Sequence, residues 1–226
     1  MILELSKVTK KNLKGIASPD VAIVSDAENL IRLKEKNIAA VIWHRNMPVN
    51  VQKWLDQLPV EQLPEARVIL PINMVHSVVN EIMSIKGLPD CPERKFILDE
   101  IISLASTFSS LCGSPYLRLR FDVMNSNKCP NFHIDHVAAR LLCTYRGVGT
   151  EYSFLDDHNE PTQICSVPKS SVIVLRGTKW PTGVKNNLVH RSPEIKGNSE
   201  TRLMLALDPI YNLEDENEIH YPLKPN

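Results

Sequence analysis

The rhythm of apolar residues changes once, at Gly113, and this change constrains the fold more than any other feature of the chain. Before it, from Pro92 to Cys112, Ile97, Ile101, Leu104, Ala105, Phe108 and Leu111 recur at intervals of three and four, which is the spacing of one helical face. Gly113 is suited to close that helix. After it, Leu117, Leu119, Phe121 and Val123 alternate with Arg118, Arg120 and Asp122, the period of a half-buried strand. Further strand-length runs follow at 137–145, 150–155, 162–167, 171–175, 188–190 and 201–207, separated by turn residues. A series of about eight short strands joined by turns predicts a sandwich or a double-sheet jelly roll. The polar side of the 117–123 strand has two readings, a cavity lining that includes Arg118 and Arg120, or a solvated face.

Ahead of residue 92 the pattern is mixed. Apolar runs at 21–24 and 38–43 have strand length, and helical patterns occupy 27–36, 48–58 and 73–86, with Pro59, Pro64 and Pro71 as breaks. The predicted architecture is mixed α and β in one compact unit: a double-stranded β-helix (cupin-like jelly roll) core over 113–211, an N-terminal helical shell, in part mixed, over 1–112 packed on it, and an acidic tail over 212–226. Trp43, His44 and Arg45 form a cluster that reads either as a binding feature or as the polar end of a strand. His76 falls on a helix surface.

Within the strand-rich half, His133 and Asp135 are two apart in the run Cys129-Pro130-Asn131-Phe132-His133-Ile134-Asp135-His136. On an extended segment, residues i and i+2 point to the same side, so one imidazole and one carboxylate can reach a single ion. His190 follows a strand-like run and is the candidate for a third ligand. Two His and one carboxylate leave open positions, the facial set of mononuclear iron(II) sites. Arg202 lies twelve positions after His190, and its guanidinium could clamp the far carboxylate of a bidentate co-substrate such as 2-oxoglutarate. Each residue also has a plain structural alternative. His133 and Asp135 can be a hydrogen-bonded pair, His190 a cap, and Arg202 half of a salt bridge. A different reading is a non-catalytic zinc-binding protein, in which Cys129 joins His133, Asp135 and His190 in a closed tetrahedral site, with His136 a further candidate ligand.

The order of these features resembles the iron(II)- and 2-oxoglutarate-dependent dioxygenases, in particular their prolyl-hydroxylase-like and phytanoyl-hydroxylase-like members. The resemblance runs from the strand at Leu119-Arg120-Phe121, through His133 and Asp135, the strand from Arg140 to Tyr145, the Gly149–Phe154 edge and the Pro168–Leu175 element, to His190 and Arg202. The chain is also similar to a bacterial family of unknown function that carries the same Cys-Pro-x-Phe-His-x-Asp-His run. The first resemblance implies iron(II) on His133, Asp135 and His190, 2-oxoglutarate on Arg202, and hydroxylation or demethylation of a small-molecule or protein substrate. Tyr145 and Arg140 are further candidates for co-substrate contact, against a core Tyr and an Arg paired with Asp156 or Asp157.

Composition narrows the setting. Of 226 residues 43% are hydrophobic and 23% charged, with Lys+Arg and Asp+Glu equal at 26, an ordinary globular balance without the basic surplus of a nucleic-acid binder. No apolar run approaches the roughly 18 residues of a membrane span, and the first residues lack a signal-peptide plan. The five cysteines form no CxxC pair, which favours reduced thiols and a cytoplasmic expectation.

Overall fold

The computed structural model describes residues 20–125, 131–181, 187–194 and 201–214. Ten strands lie among them, β1 (Val21–Val24), β2 (Ala40–Trp43), β3 (Ala66–Pro71), β4 (Tyr116–Met124), β5 (Ala139–Arg146), β6 (Glu151–Phe154), β7 (Cys165–Ser166), β8 (Val172–Arg176), β9 (Leu188–Arg191) and β10 (Arg202–Ile210). A seven-stranded sheet has the order β1-β2-β8-β5-β10-β4-β3, and a three-stranded sheet has the order β7-β6-β9. Every pairing is antiparallel except that of β1 with β2. Three α-helices precede the main strand series: α1 (Val49–Gln57), α2 (Val75–Ile85) and α3 (Pro92–Cys112). Among the described residues no helix is long and apolar enough to cross a membrane.

The layers follow from strand alternation. Odd-numbered residues of β4, β5 and β10, among them Leu119, Phe121, Leu141, Cys143, Leu205 and Leu207, join Ile101, Leu104 and Phe108 of α3 in one core. Even-numbered Met124, Leu142, Met204 and Ala206 turn the other way and pack with Tyr152 and Leu188 of the small sheet in a second core. The large sheet is therefore buried on both faces, between helices and the small sheet, and β10 is buried along its whole length. Polar residues on the even face of β4, β5 and β10 must then lie between the sheets. Arg118, Arg120, Asp122, Arg140, Thr144, Arg202 and Asp208 all belong to that face. This settles the direction of the β4 polar side, because its apolar side is needed against α3.

The N-terminal half combines helices with strands, among them the two strand-length runs at 21–24 and 38–43. It supplies three of the seven strands in the large sheet, β1, β2 and β3. β3 was hidden by its prolines, yet an edge strand that ends on Pro71 loses no ladder bond it needs. The pattern at 27–36 forms a 3-10 helix over Ala27–Lys34, and α3 matches the predicted span, its terminal Gly113 taking a left-handed conformation with φ 65°. The acidic tail beyond residue 214 lies outside the described residues.

Trp43 and Arg45 act in packing. The Arg45 guanidinium lies 4.7 Å over the Trp43 ring and donates to Glu100 at 2.8 Å and to the Ser170 carbonyl at 2.8 Å. The cluster ties β2 to α3 on the helical side of the large sheet. His44 approaches the Ser171 hydroxyl at 3.3 Å.

Candidate metal centre

His133, Asp135 and His190 converge. One ligand atom from each lies within 4.8 Å of the other two. His190 is held in β9, opposite Tyr152 of β6. His133 sits outside the named strands and pairs with β9 through an isolated antiparallel bridge to His190. The two residues exchange both backbone hydrogen bonds, each 3.0 Å, so their side chains leave the same face. Their rings stand 4.6 Å apart between centroids, tilted by 47°.

Asp135 is placed by the turn after β8. Gly177 donates to the Ala138 carbonyl at 2.8 Å, Thr178 to the Asp135 carbonyl at 2.9 Å and Lys179 to the Val137 carbonyl at 3.0 Å. A Cβ at Gly177 would fall 2.0 Å from the Val137 carbonyl oxygen and 2.7 Å from that of Asp135. Only a residue without a side chain admits this approach. Gly177 is a packing position beside Asp135 that periodicity does not reveal. Its signal was its place directly after a buried strand.

The side chain of Asp135 meets three cations or potential cations. Arg140 donates to Oδ1, His133 Nε2 lies 3.6 Å from Oδ1 and His190 Nε2 lies 3.2 Å from Oδ2. Behind them Asp208, fully buried, accepts from Arg140 Nε at 2.6 Å and Nη2 at 2.8 Å. Arg118 Nη1 approaches the same carboxylate at 3.7 Å. Burial favours a protonated Asp135, but the two imidazoles and Arg140 outweigh it and hold its pKa far below the usual carboxylate range. Asp135 raises the pKa of His133 against partial burial. Burial lowers that of His190 despite the same carboxylate.

The donor set fits a metal ion. His133 Nδ1 lies 3.0 Å from the Asn131 carbonyl, and a carbonyl only accepts, so Nδ1 carries the proton and Nε2 of the neutral ring presents its lone pair. Asp135 Oδ2 is buried without a hydrogen-bond partner. Lone pairs of nitrogen and carboxylate oxygen facing one another repel unless a cation or proton lies between them. The separations of 3.2 and 3.6 Å are close to the roughly 3 Å between adjacent ligands whose metal bonds are about 2.1 Å long. Two imidazoles and one carboxylate leave several positions open. Of the two additional zinc ligands considered from sequence, His136 points its Nδ1 to the Thr178 hydroxyl at 2.8 Å, and Cys129 lies outside the described residues.

The centre opens on a cavity of about 270 Å³ between the sheets, lined by His133, His190, Arg140 and Thr150 together with the apolar Met124, Leu142 and Met204. Just behind its wall is Arg202, 2% exposed. It donates to the Val148 carbonyl at 2.8 Å, the Thr144 hydroxyl at 3.0 Å and the Thr150 hydroxyl at 2.9 Å. Its other terminal nitrogen has only a 3.4 Å contact to Ser192 and a 4.0 Å contact to the Met124 sulfur. Among the described residues it has no carboxylate within ion-pair distance. Burial pushes its pKa down to about 10, against the pull of Asp122.

Tyr145 is corrected by the geometry. Its side chain is buried on the helical side of the large sheet, where its hydroxyl donates to Glu100 at 2.8 Å, so it does not face the cavity. Arg140 and Tyr145 are five apart on one strand, and alternation alone sets them on opposite faces. Arg140 does reach the site, paired with Asp135 and Asp208 in place of Asp156 or Asp157.

The model of one protein family, described as a protein of unknown function (DUF1826), matches residues 24–208. The chain belongs to that family. No curated protein matches it. Among solved structures, the dioxygenase for auxin oxidation from rice is similar at TM-score 0.50 and 15% identity, over 88% of this chain and 85% of that one. The dioxygenase for auxin oxidation 1 from Arabidopsis thaliana, solved as its 2-oxoglutarate binary complex, is similar at TM-score 0.52 and 12% identity, over 86% and 93%. At such identity the likeness is one of fold. This DUF1826 chain thus has the double-stranded β-helix fold of 2-oxoglutarate dioxygenases, with a His-Asp-His cluster between its sheets.

Proposed function

We propose that the protein is an iron(II)- and 2-oxoglutarate-dependent oxygenase that hydroxylates or demethylates an organic substrate. The observation that carries the reading is the pairing of two things at one cavity: three ligands that leave a facial set of open positions, and, just behind the wall, a buried guanidinium, Arg202, with no carboxylate within ion-pair distance among the described residues. Leaving a buried charge without a counter-charge is costly, and a carboxylate-bearing co-substrate entering the cavity would supply one. The fold supports the same reading, and one of the similar structures binds 2-oxoglutarate.

When bound, iron(II) and 2-oxoglutarate supply the oxidising chemistry, in which dioxygen and the oxo-acid yield succinate, carbon dioxide and one oxygen atom for the substrate C–H bond. The chain's own residues hold and exclude. His133 and His190 are pinned to each other by the backbone bridge, which keeps both nitrogens on one side of the site. Arg140, held from behind by Asp208, keeps the Asp135 carboxylate ionised and aimed. Thr144 and Thr150 hold the guanidinium of Arg202 in place. Met124, Leu142 and Met204 keep water from the interior, which strengthens each charge contact there.

The test is anaerobic titration of 2-oxoglutarate into iron(II)-loaded protein, followed by visible absorbance and calorimetry, with His133→Ala and Arg202→Ala alongside. A metal-to-ligand charge-transfer band that His133→Ala abolishes and Arg202→Ala weakens is the expected result. Iron that fails to bind, or binds with no response to 2-oxoglutarate, overturns the proposal.

A further inference from the structure

The cavity carries a further set of charges besides the three ligands. Three guanidinium groups line its wall, Arg120, Arg140 and Arg191. Arg140 is matched by Asp208 and Asp135, and Arg191 donates to Glu151 at 2.8 Å while stacking over Phe132 at 4.4 Å. Arg120 differs from both. Its Nε is shielded from water and has no hydrogen-bond partner, and its nearest carboxylate oxygen, Asp122 Oδ2, is 4.0 Å from Nη1. That separation is beyond a hydrogen bond, and Asp122, 36% exposed, is partly satisfied by water. Glu65, the other acid on the wall, is exposed at the rim.

Strand register separates Arg120 from Arg202. On β10, Arg202 stands opposite Met124, whereas Arg120 stands opposite Ala206. Four residues of strand are about 13 Å, so the two side chains leave the sheet at different levels of one face. On the same face Met124 lies at the level of Arg202, Leu142 at that of Arg120 and Met204 between them, an apolar surface.

We infer that Arg120 selects the substrate, and that the substrate is a small organic acid, its carboxylate on the Arg120 fork and its apolar body against Met124, Leu142 and Met204. The inference rests on the oxygenase reading and adds to it the substrate's chemical class. The Arg120 side chain lines the cavity and is 19% exposed, and the terminal edge of a guanidinium takes both oxygens of a planar carboxylate at once. A cavity of about 270 Å³ lies at the small end of ligand sites and suits a molecule of a few carbons better than a large one. The acid would displace Asp122 as the partner of Arg120.

The test uses a matched pair of probes, hexanoate and hexanamide, which share shape and differ in charge. Each is titrated calorimetrically into metal-loaded protein, with and without 2-oxoglutarate, for wild type, Arg120→Ala and Arg120→Lys, and folding is checked by thermal melts. Wild type is expected to bind the acid about tenfold more tightly than the amide, the scale of one charge-assisted contact. Arg120→Ala should remove that preference and Arg120→Lys retain part of it, with 2-oxoglutarate affinity unchanged in both. Wild type that binds the two probes equally, or binds neither, overturns the inference without any mutant. So does an acid preference that survives in Arg120→Ala. If Arg120→Ala weakens 2-oxoglutarate as much as Arg202→Ala does, Arg120 belongs to the co-substrate and the inference falls while the oxygenase reading stands. If 2-oxoglutarate fails to bind wild type, the oxygenase reading falls, and the inferred substrate role goes with it.

Discussion

His133 and His190 are hydrogen-bonded to each other through their backbones, N to O and O to N, both at 3.0 Å. Two residues 57 positions apart in the chain thereby become direct cross-strand neighbours with imidazoles on one face. The backbone has already met the entropic cost of bringing the two ligands together, so metal binding needs little further ordering. Metal should therefore bind one ion per chain in the folded protein, and His133→Ala, His190→Ala and Asp135→Ala should each reduce occupancy severely while leaving the far-ultraviolet spectrum near that of wild type. Elemental analysis after loading with iron(II) or cobalt(II) checks this. Full stoichiometry in His190→Ala would remove the centre as described.

Metal affinity should depend on pH in a direction set by His133. Its pKa is raised in the metal-free protein, chiefly by Asp135, so the ring keeps its proton to higher pH than an ordinary imidazole at about 6.5. A metal must displace that proton. His190, whose pKa burial lowers, has already lost its own. Affinity is thus full well above the His133 value and falls as pH drops through it. Cobalt(II) calorimetry in buffers of different ionisation enthalpy should register proton release near neutrality. Affinity that stays flat from about pH 8 to about pH 6 would contradict this.

Asp208 holds Arg140 from behind, and Arg140 holds Asp135. Removing one partner of a buried ion pair costs roughly 3–5 kcal/mol, and here it also frees a metal ligand. Asp208→Asn should lower unfolding free energy by an amount of this order and weaken metal binding, although Asp208 does not touch the site. Denaturant melts and metal titration of the same preparation measure both effects. A variant that loses stability but binds metal as wild type does would make the link between Arg140 and Asp135 incidental.

Arg202→Met separates stability from function. Three acceptors, the Val148 carbonyl and the hydroxyls of Thr144 and Thr150, lose a donor at roughly 1 kcal/mol each, but a buried charge without an acid partner is removed at the same time. The expected net change in unfolding free energy is within about 2 kcal/mol, while 2-oxoglutarate affinity falls by two orders of magnitude or about 3 kcal/mol. Chemical melts and the anaerobic titration test the two halves independently.

Gly177→Ala should be far more damaging than its size suggests. The added Cβ would meet the Val137 carbonyl oxygen at 2.0 Å, so the turn must leave the backbone of 135–138 and give up hydrogen bonds that hold Asp135. A fall in melting temperature together with reduced metal occupancy is expected. A variant equal to wild type in both would show that this turn does not position the ligand.

Several features were readable from residue order. The helix over 92–112, the alternation of β4 and the His-x-Asp pair all rest on local periodicity, and local periodicity survives packing. Tyr145 shows the limit of reading positions by resemblance, since five steps from Arg140 along one strand already turn it to the other face. β3 escaped notice because prolines bracket it, and nothing local says that a strand edge will be present to receive it. Gly177 escaped because its importance is a distance to Val137, forty positions earlier.

Periods of 3.6 and 2, with the spacing of His133 and Asp135, were enough to specify a helix laid on a sheet-rich core and two ligands on one side of a strand, because each depends on neighbours within a few residues. They could not say which side of the large sheet would be the interior of the site. That depended on α3 claiming the odd face of β4, β5 and β10, which left the even face, with Arg120, Arg140, Arg202 and Asp208, to line the space between the sheets. The choice is made by burial of apolar area across elements far apart in the chain, and so it exists only once those elements have packed.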